Sequence, residues 1–411
     1  MSLLRHLFRR KRPVIRRKRG PLKVQFVITS MPVGGAETLL VNLLDRLDQS
    51  RLQAEVICLK EPGPLGQQIA ARIPVHSGLI DNKWDVRVLW RLIRLLRKQE
   101  TDAVVTVGAG DKMFWGRLAA YLAGVPVICS ALHSTGWPDG VGRLNRGLTP
   151  LTDAFIAVAD SHGEFMRLRE RFPAEKVHVI RNGIDTTRFD CASVFQEPSV
   201  RDELGLPADA PLVGIVAALR PEKNHAMFVD VASRVLLEEP DSHFLVIGDG
   251  PERETIVRRC EGCGIADRVH LLGTRQDTAR LLSALDVFLL TSHNEASPVS
   301  ILEALACKVP VVSTNVGSIA ETVIPEQTGY LVAVDDVATA TALVTKLLRD
   351  ESHSQTLGDQ GRRLVVAQGS LDSMVEGYQS LIEGLYDRSA AGKRAARPQK
   401  VLGSFVHQTP R

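Results

Sequence analysis

The sequence predicts an α/β protein made of two doubly wound parallel sheets, arranged in series along 411 residues. Short β-branched apolar segments alternate with amphipathic helical segments from residue 22 onward, which is the pattern of parallel sheets covered on both faces. This alternation breaks around residues 186–210 and then starts again. The length is sufficient for two ordinary domains.

The elements of the first half follow from their residue types. Runs rich in Val and Ile predict the strands LKVQFVITS, AEVICL, DAVVTVG, VPVICSA, AFIAVA and VHVIRNG. Apolar residues at helical spacing predict the helices GGAETLLVNLLDRL, WDVRVLWRLIRLLRKQ and MFWGRLAAYLAG. We expect these elements to form a first Rossmann-like domain over residues 22–190.

The second half repeats the pattern. It contains the predicted strands LVGIVAA, HFLVIG, RVHLLG, VFLLTS and VPVVST, with helices starting near residues 224, 251, 277 and 298. We expect a second domain over residues 191–368. The helix predicted at 369–388 is compatible with packing on either half.

Positive charge is concentrated at the two ends of the chain. The first 20 residues hold nine Lys and Arg and no acid, and residues 391–411 hold five and no acid. The net charge of +4 therefore resides in an arm (1–21) and a tail (389–411), while the region between them has an excess of about ten acids. An acidic body weighs against nucleic-acid binding. The arm either contacts anionic lipid or is a disordered solubilising segment.

The compartment is predicted from the cysteines and the apolar runs. The six cysteines are scattered, several of them within apolar segments, which indicates buried thiols in a reducing environment. No apolar run reaches the roughly 18 residues of a membrane span, and the N-terminus lacks the apolar core of a secretory signal. We expect a cytoplasmic protein and leave open peripheral contact with the inner face of the membrane.

Two glutamates with seven residues between them, Glu295 and Glu303, flank the start of a predicted helix. Ser297 followed by Pro298 predicts an N-cap and a first helical position. A helix N-terminus attracts phosphate, and carboxylates nearby can hold hydroxyl groups. The expected phosphate-facing backbone is that of Ser297, Pro298, Val299 and Ser300.

Cations and glycines follow other predicted strands. Arg220 and Lys223 precede a helix whose dipole they oppose, which favours an anion between them over a solvated face. Gly34 and Gly35 open a helix after the first strand and would let backbone amides approach a phosphate. Gly248 lies in VIGDGPER, which lacks the third glycine of a dinucleotide fingerprint and predicts a turn bordering a nucleotide base.

His133 follows the VPVICSA strand. A histidine at this position can donate a hydrogen bond or act as an acid or base, or it can simply cap or pack. Ligands of doubly wound sheets bind outside the carboxyl ends of the strands, so we expect the site in a cleft between the two sheets.

The chain contains, in this order, GGAE, a histidine after a mid-domain strand, NGID, RPEKN, VIGDGP, LLGTRQD and the two glutamates followed by ALACKVPVVST. This ordered set of motifs resembles the retaining glycosyltransferases of family 4, which have the GT-B fold. The resemblance runs from about residue 22 to 387, and it implies that residues 22–190 form the acceptor domain and residues 191–368 the nucleotide-sugar domain. It implies transfer of a sugar from a nucleotide-diphosphate sugar to a glycan or a lipid-linked acceptor, with retention at the anomeric carbon.

The resemblance also implies roles for individual residues. Glu303 would hold the ribose hydroxyls, Glu295 would lie beside the donor sugar, and Lys223 would neutralise the diphosphate. His133 would lie near the donor sugar and the acceptor face. The glycine pair of GGAE would lie near the diphosphate, and NGID would form the crossover between domains.

The sequence departs from the family pattern at two places. The arginine that the family has before the lysine falls on Ala218, and Arg220 supplies the charge two residues later. ASPVS stands where Gly-Phe-Gly is usual. The chain contains no Asp-x-Asp, the usual clamp for a metal and a diphosphate, so we expect no obligatory metal and no other cofactor.

Three alternatives stay open at this point. A nucleotide-sugar epimerase of the same fold would share the cleft, and a non-catalytic relative would bind nucleotide only. The helix with Arg87, Arg91, Arg94 and Lys98 along one face is either a membrane-surface helix or a solvated one.

Overall fold

The computed structural model describes residues 20–81, 85–108, 111–133, 142–190 and 199–391, without the side chains of 111–112 and 142–144. Within these ranges the chain forms a seven-stranded and a six-stranded sheet, and all strand pairs within the sheets are parallel. The predicted α/β class with two doubly wound sheets is confirmed. The basic arm and the basic tail lie almost entirely outside the described residues.

The first half contains the seven strands of the first sheet. Its strands are β1 (Leu22–Ile28), β2 (Leu52–Cys58), β3 (Val75–His76), β4 (Ala103–Val107), β5 (Val127–Ala131), β6 (Ala154–Ala157) and β7 (Val177–Val179). Its helices are α1 (Gly35–Arg46), α2 (Gly63–Ile69), α3 (Val88–Lys98), α4 (Asp111–Ala123), α5 (Gly142–Gly147) and α6 (Asp160–Leu168).

The second half repeats this organisation. Its strands are β8 (Leu212–Val216), β9 (His243–Ile247), β10 (Val269–Gly273), β11 (Val287–Leu290), β12 (Val311–Thr314) and β13 (Gly329–Val332). The helices of this part of the chain are α7 (Val200–Glu203), α8 (His225–Glu238), α9 (Arg253–Gly262), α10 (Thr278–Ser283), α11 (Val299–Ala306), α12 (Val337–Arg349), α13 (Glu351–Gln368) and α14 (Leu371–Ala390).

The strands are apolar on both faces because helices cover both sides of each sheet. In β1, Val24 and Phe26 have no exposed surface. Gln25 between them is also buried, and its Nε2 donates a 2.8 Å hydrogen bond to Glu55 Oε2 on β2. A near-continuous apolar run is what two-sided burial requires of a parallel strand.

Each sheet has one point where the strand order reverses. The first sheet has the order β3-β2-β1-β4-β5-β6-β7, and the second has the order β10-β9-β8-β11-β12-β13. The reversals lie between β1 and β4 and between β8 and β11. Loops leaving neighbouring strands in opposite directions open a crevice at such a point, where ligands of these folds bind.

The chain passes between the halves twice, and the two crossings run side by side. The amide of Ile184 donates to Gly369 O and the amide of Leu371 donates to Ile184 O, each at 2.9 Å. Gly183 packs so closely here that an added Cβ would lie 2.3 Å from Ser370 O. After the second crossing, α14 returns to the first half.

Helix α14 packs against α1 and β5, which answers the question of which half it joins. Arg51 bridges two of its acids, with Nη1 2.6 Å from Glu376 Oε2 and Nη2 2.7 Å from Glu383 Oε2. Gln379 Oε1 accepts a 2.7 Å hydrogen bond from the Asp48 amide. The final helix is therefore part of the first domain in space, although it follows the second in sequence.

Candidate functional site

The reversal point of the second sheet brings together the loops that follow β8 and β11. Lys223 Nζ, on the first loop, lies 2.5 Å from Glu295 Oε1 on the second. Ser292 Oγ donates to the same oxygen at 2.7 Å. Only 9% of the Glu295 side chain is exposed. A lysine and a glutamate that are distant in sequence are thus paired in a sheltered position.

Backbone contacts fix the Lys223 loop in place. The His293 amide donates to Glu222 O at 2.9 Å, and Thr291 Oγ1 donates to Asn224 O at 2.9 Å. Asn224 adopts a left-handed conformation (φ 50°), and its side chain caps α8 by accepting from the Met227 amide. Both ends of the loop are held, so the position of the lysine is defined by the fold.

His225, the first residue of α8, is buried beside this lysine. Burial and the neighbouring charge of Lys223 lower the pKa of His225 to about 4. The imidazole is therefore neutral at neutral pH, and it adds no second cation next to the Lys223–Glu295 pair.

Gly248 borders the same crevice from β9. Its φ of +143° is in a region that favours glycine, and an added Cβ would lie 2.0 Å from Ala217 O after β8. A side chain at this position would push the two loops apart. The glycine is therefore needed for the close approach of the strand ends.

The N-terminus of α11 differs in detail from the prediction. The helix begins at Val299, and Pro298 occupies the N-cap position with an extended ψ of 121°. No side chain caps the helix, so the prediction of Ser297 as the N-cap was wrong. The extended proline turns the preceding chain away from the helix axis. Ser297 instead presents its carbonyl oxygen to Asn182, whose Nδ2 donates at 2.9 Å, and Ser300 lies in the first turn.

Glu303 lies in the middle of α11 and is partly buried. No described residue donates a hydrogen bond to its carboxyl group. Burial raises the pKa of Glu303 to about 7, against a smaller opposite effect of Arg188. A carboxyl group in this environment lacks partners for its charged form, and hydroxyl donors of a ligand would supply them.

The halves approach each other closely at two points around this region. A Cβ added at Gly35, the first residue of α1, would lie 3.9 Å from Val299 Cγ2 at the start of α11. Gly34 is the N-cap of α1 and has no side-chain cap. The second contact is the hydrogen bond from Asn182 to Ser297 O. The glycine pair and the start of α11 thus face each other across the cleft.

Two predicted residues are not members of this pair. Arg220 has 55% of its side chain exposed, and its nearest acid is Glu222 at 4.0 Å. His133 lies two residues beyond β5, at the carboxyl edge of the first sheet, and is half-buried. The structure joins Lys223 to Glu295, and it leaves Arg220 on the outside of the loop.

Sequence reasoning did not assign roles to Ser292 and Asn182. Ser292 is three residues before Glu295 and reaches it across the turn, which is a common local contact for a serine. Asn182 lies in NGID, so the motif was a signal, but its partner at Ser297 is 115 residues away. Sequence patterns alone do not give such a pairing.

Comparisons with known proteins agree with this architecture. A family model described as "Glycosyl transferases group 1" matches residues 196–364, and one described as "Glycosyltransferase Family 4" matches residues 33–188. N-acetyl-alpha-D-glucosaminyl L-malate synthase of Bacillus anthracis is 30% identical over 375 residues, covering 88% of this chain and 97% of that protein. The chain belongs to the family 4, group 1 glycosyltransferases.

Other relatives of this glycosyltransferase are similar over comparable lengths. UDP-Gal:alpha-D-GlcNAc-diphosphoundecaprenol alpha-1,3-galactosyltransferase of Escherichia coli is 27% identical over 333 residues, covering 77% of this chain and 85% of that protein. The crystal structure of Anabaena HepE with UDP and glucose has a TM-score of 0.78 at 20% identity, covering 88% of this chain and 99% of that one. The latter likeness supports the GT-B fold.

In the part of the chain that the structure describes, no group of three or more His, Cys, Asp or Glu side chains is arranged to hold a metal ion. Across the same described ranges, none of the helices combines the length and hydropathy of a transmembrane segment.

Proposed function

We propose that this glycosyltransferase moves a sugar from a nucleoside-diphosphate sugar to a glycan or lipid-linked acceptor, with retention and without a metal ion. The observation that carries the proposal is the Lys223–Glu295 pair at the reversal point of the second sheet. A cation and a carboxylate held together in a crevice match a donor whose diphosphate is negative and whose sugar offers hydroxyl groups.

The proposed roles follow from the chemistry of the donor. When the bond between the anomeric carbon and the diphosphate oxygen breaks, its electron pair goes to the diphosphate. Lys223 would stabilise the added charge, and Glu295 would accept hydrogen bonds from the sugar hydroxyls. Glu303 would hold the ribose, and the backbone from Ser297 to Ser300 would face the diphosphate.

Retention is the expected outcome because the family resemblance implies attack from the leaving-group side. The acceptor oxygen forms its new bond on the face that the diphosphate leaves, and the acceptor proton goes to a diphosphate oxygen. His133, at the carboxyl edge of the first sheet, would face the acceptor. Lys223 takes the place of a metal in this scheme because the chain has no Asp-x-Asp.

The relatives support the class of donor and acceptor. The Escherichia coli relative is named for a UDP-linked sugar and an undecaprenol-diphosphate-linked acceptor. The Anabaena structure contains UDP and glucose. For this chain we propose only the class of donor, a nucleoside-diphosphate sugar, and the class of acceptor, a glycan or a lipid-linked molecule.

The proposal is tested with a panel of UDP-, GDP- and ADP-sugars. One donor is expected to raise the melting temperature and to release free nucleoside diphosphate, at a rate that excess EDTA leaves unchanged. Interconversion of the sugar without release would favour an epimerase, and binding without turnover would favour a non-catalytic relative. Activity that EDTA abolishes and Mg²⁺ restores would contradict metal independence.

The burial of Glu303 predicts that nucleotide affinity depends on pH. If ribose hydroxyls donate to the charged carboxylate, binding below the pKa of about 7 must first remove a proton. The association constant is therefore expected to fall about tenfold for each pH unit below 7 and to be flat above it. Titration calorimetry of the nucleoside diphosphate between pH 5.5 and 8.5 measures this.

The phosphate groups of the nucleotide also titrate in this pH range and contribute to the profile. The control is therefore the same pH profile of the association constant measured for Glu303→Gln, and the two profiles are compared. Glutamine keeps the shape of the side chain and has no proton to lose. The variant is expected to bind more weakly at high pH and to lose the additional slope below pH 7. Parallel profiles for the two proteins would show that Glu303 does not contact the ribose as proposed.

The surface of α3 supports a second proposal, contact with an anionic membrane. Val86 and Trp90 are 65% and 72% exposed, and Arg94 and Lys98 continue the same four-residue spacing on the exposed side. The apolar end of this stripe is at the start of α3, which is the cleft-facing edge of the sheet. An amphipathic tryptophan above exposed cations fits the interface of an anionic bilayer.

The predicted basic face of this helix is smaller than the sequence indicated. Arg87 Nε lies 2.7 Å from Asp85 Oδ1, and Arg91 Nη1 lies 3.0 Å from Asp85 Oδ2. These two arginines also pair with Asp81. They are neutralised by acids that precede the helix, so Arg94 and Lys98 remain as the cations of the stripe.

Trp90→Ala is expected to weaken sedimentation with anionic vesicles about tenfold, because the indole buries a large apolar area in the bilayer interface. The matched control is Leu237→Ala, which removes an 84% exposed side chain from α8 in the second half and is expected to have no effect. Neutralising the basic residues of positions 5–19 is expected to weaken binding further. Equal sedimentation of Trp90→Ala and wild type would remove α3 from the membrane proposal.

A further inference from the structure

Helix α6 of the first half is capped by a residue of the second half. Its own N-cap position is Ala159, whose backbone is extended (φ −158°, ψ 164°) and whose side chain cannot accept a hydrogen bond. Alanine is a poor N-cap because it leaves the first amides of the helix without a partner. The cap is supplied by Glu321, on a 3₁₀ turn (Ile319–Glu321) that follows β12.

Both carboxylate oxygens of Glu321 take part. Oε2 accepts from the Asp160 amide at 3.0 Å, and Oε1 accepts from the Ser161 amide at 2.6 Å and from Ser161 Oγ at 2.5 Å. A carboxylate at a helix N-terminus is also favoured by the helix dipole. This contact joins the two halves through charge-assisted hydrogen bonds at a solvent-exposed point.

The turn that carries Glu321 packs on the loop that carries Glu295. Gly317 has a φ of +59°, and an added Cβ would lie 1.8 Å from Glu295 O. The Ser318 amide donates to Ala296 O at 3.2 Å, and Ser318 Oγ donates to the same oxygen. A displacement of the turn would therefore move the backbone on both sides of the Glu295–Ala296 peptide.

We infer that Glu321 is a positioning residue which couples closure of the two halves to the placement of Glu295. When the halves are together, α6 holds Glu321, the turn holds the Glu295 loop, and Asn182 holds Ser297 O on the next residues of that loop. When the halves separate, the loop loses both supports from the first half. The inference rests on the proposed function, because it assigns Glu295 to the donor sugar.

The test uses Glu321→Gln, which keeps the shape of the side chain and loses its charge. Turnover is expected to fall about tenfold or more, because hydrogen bonds to a charged group are lost across the cleft. Affinity for the free nucleoside diphosphate is expected to stay within about twofold, because Lys223 and Glu303 are unchanged. Turnover equal to wild type would overturn the inference.

A second variant separates positioning from simple stabilisation of α6. Ala159→Ser gives the helix a cap of its own, at a position with suitable backbone angles. In Ala159→Ser combined with Glu321→Gln, we expect the melting temperature to recover and turnover to stay low. Recovery of turnover together with the melting temperature would mean that Glu321 only caps the helix, and it would overturn the inference.

A third measurement does not depend on activity. Small-angle scattering of the ligand-free protein is expected to give a larger radius of gyration for Glu321→Gln than for wild type, because the halves are less firmly joined. Equal radii would overturn the coupling. If wild type consumes no nucleotide sugar at all, the proposed function fails, and the scattering comparison still decides whether Glu321 holds the halves together.

Discussion

Replacing Lys223 with alanine is expected to lower turnover at least about 100-fold while the fold stays intact. The lysine is the cation that contacts Glu295, and it is held by a loop fixed at both ends. Its loss removes the charge that would stabilise the departing diphosphate. It also leaves Glu295 with only Ser292 as a donor among the contacts that the structure shows. Steady-state rates of nucleoside diphosphate release measure the effect.

The pairing of the two side chains also predicts how the losses of turnover combine in a double variant. Because Lys223 and Glu295 act through each other, the losses in Lys223→Ala and Glu295→Ala are expected not to add in the double variant. Lys346→Ala is the matched control, since it removes a half-exposed lysine of the same half, in the last turn of α12 at the opposite edge of the sheet. Near-normal turnover in Lys223→Ala would mean that the diphosphate binds elsewhere.

Arg117→Ala is expected to cost about 3–5 kcal/mol of the free energy of unfolding. Arg117, on α4, has no exposed surface. Its Nε donates to Met113 O, its Nη1 to Thr152 Oγ1 (both 2.9 Å), and its Nη2 to Asn145 O and Oδ1 at 2.9 and 2.7 Å. The guanidinium also lies 5.6 Å from the centre of the Phe155 ring.

The cost is large because the substitution both opens a cavity and leaves buried acceptors without donors. Burial lowers the pKa of Arg117 to about 9, so the group is still charged at neutral pH although no carboxylate of the described residues pairs with it. Arg117→Lys keeps the charge but loses the planar guanidinium group, so its free energy of unfolding is expected to lie between those of wild type and Arg117→Ala.

Denaturant unfolding of the variants measures this effect. The matched control is Arg97→Ala on neighbouring α3, an exposed arginine with one hydrogen bond to Leu122 O. It is expected to change the free energy of unfolding by no more than about 0.5 kcal/mol. A cost of that size for Arg117→Ala would show that the buried network contributes little.

The fold could be predicted from the sequence because its signals are local. Strands such as β8 and β11 are apolar at every position, and two-sided burial explains this. The position of Arg117 could not be predicted. In the segment GRLAAYLAG an arginine is compatible with a solvated helix face, and only the packing of α4 against the segment from Asn145 to Thr152 shows that it is enclosed.

The candidate site was predictable in its parts but not in its connections. Lys223 was identified from its place after a predicted strand and Glu295 from its place at the start of a predicted helix, but their direct pairing depends on β8 and β11 being neighbours. Ser297 was assigned as a cap because serine before proline is a frequent helix start, and the extended ψ of Pro298 moves that start by one residue. Glu321 gave no local signal, since its partner is a helix start 160 residues away.

The return of α14 to the first half has a consequence for biosynthesis. The helix buries Leu371, Met374 and Ile382 on a domain whose strands are made much earlier. During translation that surface stays uncovered until the residues that follow the second half have been made. The first domain therefore matures last or together with the second, and a fragment ending near residue 190 is expected to aggregate when it is made alone.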